Sequence, residues 1–134
     1  MKINPNFEIS RQQLGMHLLR LGLAFVFLWF GFSQLLDSLK WVDIVPDWAI
    51  NILHLPPALI VIGNGLFEIT LGSLLAMGFF VRIISFVLAL HLIPIALEFG
   101  FVATGVRDLG IAIASLALSL MYTKDEEPKQ PESI

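Results

Sequence analysis

Residues 57–82 read PALIVIGNGLFEITLGSLLAMGFFVR, and up to Phe80 the stretch holds one ionisable side chain, Glu68. At a rise of ~1.5 Å per residue, about 20 apolar residues cross a hydrocarbon core ~30 Å thick, so the stretch predicts a transmembrane helix. Glu68 then sits near the bilayer midplane, where a carboxylate facing lipid costs several kcal/mol. It must face other helices, a partner or water. Gly65, Glu68 and Gly72 fall at i, i+3 and i+7 and share one face, where the glycines let a neighbouring helix approach the carboxyl group.

The rest of the chain repeats this pattern. Residues 14–36, LGMHLLRLGLAFVFLWFGFSQLL, form a first span with Arg20 near its start and Gln34 near its end. Arg20, Ala24, Phe27, Gly31 and Gln34 make a small and polar stripe along it. The second span covers 57–80. The third covers 83–101, with His91, Pro94 and Glu98 on one face, and the fourth covers 103–122, opening on Arg107-Asp108. Asp108, Ala112, Ser115, Ser119 and Tyr122 line one side of the fourth. Residues 1–13 read as a polar cytoplasmic lead and 123–134, TKDEEPKQPESI, as a disordered cytoplasmic tail.

Residues 37–56 form the longest connection. Trp41, Val45, Trp48 and Ile52 are spaced for one helical face, with Pro46 breaking the run. Two readings stand equal here: a segment lying in the membrane interface, or a loop that packs its tryptophans on the bundle. Lys2, Arg11, Arg82, Lys124 and Lys129 fall on the side of the termini, and Lys40 and Arg107 on the other. The positive-inside rule therefore predicts cytoplasmic termini and an outward-facing loop. The expected fold is all-α: an integral membrane antiparallel four-helix bundle, multi-pass in the plasma membrane.

Composition agrees and excludes several functions. The 134 residues are 57% hydrophobic and 14% charged, with a net charge of −3. That is too apolar for one small soluble core. No basic patch supports nucleic-acid binding, and the absence of cysteine removes dithiol chemistry, disulfides and thiolate metal sites. The histidines lack metal-ligand spacing, and no nucleophile–base arrangement or phosphate loop is visible. Neither a metal site nor a catalytic residue is expected. Any chemistry falls to a bound cofactor or a partner subunit.

The candidate ligand-binding residues are the polar groups of the spans: Glu68, Asn64, Arg107, Asp108, Arg20, Gln34 and His91, with Trp29 beside Phe27 and Phe67 as apolar wall. Each also has a structural explanation. Arg20 can snorkel to headgroups, Asn64 and Gln34 can bond between helices, and His91 can pack as a neutral ring. Helical side chains lean toward their own N-terminus, so Glu68 and Arg107 both lean outward. On that basis Glu68 is expected to pair with Arg107, sharing Asn64, rather than with Arg20.

The order of motifs resembles the DoxX family of small four-span membrane proteins. These are Arg20-Leu21-Gly22 opening the first span, Gly31-Phe32-Ser33-Gln34 closing it, Glu68, Gly72, Gly78 and Arg82 in and after the second, and Arg107-Asp108 opening the fourth. Gln34 stands where many members carry lysine. Name-giving members are subunits of an archaeal thiosulfate:quinone oxidoreductase, and others are linked to redox-stress complexes. The resemblance implies an accessory subunit of a membrane redox system, not catalytic on its own, with a quinone or small apolar ligand between helices. Expected partners are the lipid bilayer, a redox protein and a second copy of the chain. A small-solute transporter or binding protein, and a ligand-free scaffold, are the competing readings.

Overall fold

The computed structural model describes residues 10–122, so residues 1–9 of the expected lead and the whole expected tail lie outside the described residues. Everything described is helix or connection, with no strand among the described residues. Helix α1 spans Arg11–Leu36, α2 Asp47–Leu53, α3 Pro57–Met77, α4 Val81–Phe99 and α5 Ala103–Met121, with two 3₁₀ turns at Ser38–Lys40 and Val42–Ile44. The four long helices α1, α3, α4 and α5 are each long and apolar enough to cross a membrane.

Local chemistry sets the ends of these helices. Ser10 and Gln13 form a reciprocal capping box, with Ser10 Oγ accepting from the Gln13 N–H and Gln13 Oε1 from the Ser10 N–H. Helix α1 therefore starts at Arg11, and its 26 residues rise ~39 Å, long enough to extend past the hydrocarbon core. Pro57 begins α3 at a position where a missing N–H costs nothing. Gly78 ends it with φ 82, its N–H donating to Leu75 and that of Phe79 to Leu74, a Schellman pair open to a residue without Cβ. Three residues then lead into α4. Pro94 sits inside α4, where packing against other helices tolerates it.

Packing follows the small residues. Helix α1 lies mainly on α3, and α4 mainly on α5. A Cβ on Gly31 would lie 2.9 Å from the Gly65 carbonyl oxygen, and one on Gly65 would lie 2.9 Å from that of Gly31. Gly72 receives Leu28 at 3.2 Å by the same measure. Backbone thus meets backbone at Gly65, and the Leu28 side chain packs against Gly72. Between α4 and α5, Ser119 Oγ donates to the Arg82 carbonyl at 2.8 Å. Phe27, Leu75, Leu88, Val81 and Leu118 are fully buried between the helices.

The outer faces remain apolar. Phe25, Trp29, Phe32, Ile83, Leu97, Ile113 and Leu120 are exposed, a distribution suited to lipid rather than water.

Arg20 does not reach for headgroups. Its terminal nitrogen donates to the carbonyls of Leu75 and Ala76 at 2.8 and 2.6 Å, placing a cation on the C-terminal end of α3. In the connection after α1, the Trp41 indole N–H donates to Ser33 and that of Trp48 to Glu98, each at 3.2 Å. Both tryptophans are therefore tied to spans, one to α1 and one to α4.

Candidate functional site

A cavity of about 410 Å³ lies among α1, α3, α4 and α5, beneath the connection. Its walls are largely apolar, with Phe27 and Phe30 from α1, Leu92 and Ile95 from α4, and Ile111 from α5. Trp41, Pro46 and Trp48 of the connection also line it. The volume is in the usual range for a small-molecule site, about 300–1,000 Å³.

One polar cluster lines this cavity at the depth of Glu68. The glycine crossing brings Gln34 of α1 and Glu68 of α3 together, about one turn beyond Gly31 and Gly65. Gln34 Nε2 donates to Glu68 Oε2 at 3.2 Å. Asn64, one turn earlier on α3, donates from Nδ2 to Gln34 Oε1 at 2.8 Å and to Glu68 Oε1 at 3.2 Å. Each carboxyl oxygen thus accepts an amide N–H, and Glu68 and Gln34 are buried. His91 of α4 completes the cluster. Its ring stacks on Phe67 at 4.6 Å between centroids, and its buried Nε2 stops 3.6 Å from Glu68 Oε1, beyond hydrogen-bond length.

A second polar group stands near the start of α5. Arg107 Nε donates to Asp108 Oδ1 at 2.9 Å, and the guanidinium lies over the Phe30 ring at 4.7 Å. Asp108 is buried and Arg107 half-exposed. At the rim, Glu98 Oε2 accepts the Trp48 N–H.

Six of the eight candidate residues therefore line one cavity: Gln34, Asn64, Glu68, His91, Arg107 and Asp108. Two do not. Arg20 is occupied at the end of α3, and Trp29 is 56% exposed on the outer face of α1. The expected Glu68–Arg107 pair is also corrected, since among the described residues the ion-pair partner of Arg107 is Asp108. The reason is helix rotation. The glycine face turns Glu68 toward α1, while α5 packs mainly on α4 and buries Asp108, leaving Arg107 to swing toward Phe30.

Sequence reasoning left Phe30, Trp41, Trp48 and Glu98 off the candidate set. Two signals pointed at the last three, the shared face of His91, Pro94 and Glu98 and the paired tryptophans of the connection, and none at Phe30. Among the described residues no group of three or more His, Asp or Glu is gathered to hold a metal ion.

A family model, DoxX, matches residues 15–105. The chain belongs to the DoxX family. The matched region contains the whole Gln34–Asn64–Glu68–His91 cluster and stops just short of Arg107. Membership and the four spans together make this DoxX protein a multi-pass membrane protein. No curated protein and no solved structure matches the chain.

Proposed function

We propose that this DoxX protein is the ligand-holding accessory subunit of a redox assembly in the plasma membrane, its cavity taking a quinone-type ring. The bundle is antiparallel in this reading, with cytoplasmic termini, and the cavity opens toward the outer leaflet beneath the tryptophan-bearing connection. Three-residue links between α3 and α4 and between α4 and α5 support the antiparallel arrangement.

The observation that carries the proposal is the cavity's composition. Aromatic and aliphatic walls surround polar groups at two depths, the Glu68 cluster and the Arg107–Asp108 pair. A flat ring with oxygens at opposite edges matches such a site, and the walls suit its apolar faces. In this reading electron transfer falls to a partner. The cavity beside Glu68 also favours a ligand-holding protein over a scaffold whose charges only set helix register.

Native mass spectrometry of the full chain released from its own membranes tests this. The expected spectrum carries a quinone adduct and a co-purifying redox protein. Phospholipid adducts alone, together with no binding of added short-tailed quinone, would overturn the proposal.

A further inference from the structure

The polar groups of the cavity differ in hydrogen-bond sense between the two depths. At the Glu68 level they converge on an acceptor. Both N–H groups of Asn64 are committed to Gln34 and Glu68, Gln34 Nε2 turns onto Glu68, and the Nε2 of His91 is covered. The indole N–H groups of Trp41 and Trp48 are spent on Ser33 and Glu98. Three carboxyl groups line the cavity, those of Glu68, Glu98 and Asp108, with the single guanidinium of Arg107. That guanidinium uses Nε on Asp108, and among the described residues no hydrogen bond takes its terminal N–H groups. It stands nearer the helix starts. By helical rise Glu68 is ~16 Å along α3 and Arg107 ~6 Å along α5.

We infer that the cavity selects the reduced, hydroxyl-bearing form of the ring over the oxidised, carbonyl form, with Glu68 as the selecting residue. The inference rests on the ring-binding reading above and deepens it. A ring hydroxyl donates to a Glu68 carboxyl oxygen, and at the opposite edge a second hydroxyl oxygen accepts from Arg107. A quinone carbonyl can accept from Arg107 but brings no proton to the Glu68 carboxyl oxygens. Its other carbonyl lone pairs would face the carboxyl oxygens of Glu68 between largely apolar walls, where an unpaired or repulsive polar contact is costly. The site thereby holds hydroquinone and releases quinone.

Anaerobic equilibrium dialysis of the full chain in detergent, against a short-tailed 1,4-benzoquinone and separately against its hydroquinone, tests this. The wild-type protein should bind the hydroquinone at least about tenfold more tightly. Glu68→Gln, which puts an amide NH2 where a carboxyl oxygen stood at nearly constant volume, should erase or invert that ratio. The wild-type ratio needs no variant to fold, and a thermal melt reports whether Glu68→Gln is intact. Equal or tighter quinone binding by the wild type, or an unchanged ratio in folded Glu68→Gln, overturns the selection while leaving a ring site in place. Binding of neither form overturns the ring-binding reading itself.

Discussion

Gly31 of α1 and Gly65 of α3 cross so closely that a Cβ on either would lie 2.9 Å from the other's carbonyl oxygen. The contact is backbone on backbone, and Ile69 Cγ1 lies closer still, 2.7 Å from a Cβ on Gly31. It also sets the rotation of α3 that delivers Glu68 to Gln34. Gly65→Ala and Gly31→Ala should each destabilise the protein by about 1–3 kcal/mol, the usual range for overpacking. Thermal unfolding in detergent measures this, and a midpoint equal to wild type would show that the helices separate freely.

Glu68 and Arg107 act on different partners, so their substitutions should be independent. Glu68→Gln and Arg107→Gln should lower stability additively within about 0.5 kcal/mol. Glu68→Gln with Gln34→Leu should instead be sub-additive, because the two side chains share a buried hydrogen bond. A double-mutant cycle by thermal melting separates the two cases. Strong coupling between Glu68 and Arg107 would count against the rotation described here.

Arg20→Ala removes a cation from the Leu75 and Ala76 carbonyls and leaves the end of α3 unsatisfied. The expected loss is about 1.5–3 kcal/mol, as for hydrogen bonds from charged groups. Arg20→Lys keeps the charge and should recover part of it. Binding at the cavity should not change in either variant. A change in ligand affinity at constant stability would place Arg20 in the site after all.

The connection over the cavity is held by two indole N–H groups. Trp48→Phe keeps the ring and deletes the donor to Glu98. Because that bond is exposed, global stability should fall by no more than about 1.5 kcal/mol. Amide hydrogen exchange across residues 41–53 should rise. Unchanged exchange there would mean that apolar packing alone holds the connection.

Charge bias predicts the orientation of the chain in the membrane. A reporter fused after Tyr122 should read cytoplasmic, and one inserted near Asn51 should read external. The reverse pattern would invert the bundle and move the mouth of the cavity to the cytoplasmic leaflet.

Much of this protein is legible from one strand of text because it is local. Span length follows from runs of apolar residues, and the faces of each helix follow from a period of about 3.6 residues. Gly65–Glu68–Gly72, the Arg20-to-Gln34 stripe and His91–Pro94–Glu98 were all readable in this way, as was the resemblance to the DoxX family. Which face meets which neighbour was not. Arg20 and Trp29 stand on the same helix as Gln34, yet one caps α3 and the other faces outward. Glu68 and Arg107 lean the same way along their axes, but lean says nothing about rotation around the axis. That rotation was decided by two glycines from separate spans meeting backbone to backbone, a close approach that exists only once α1 and α3 are packed.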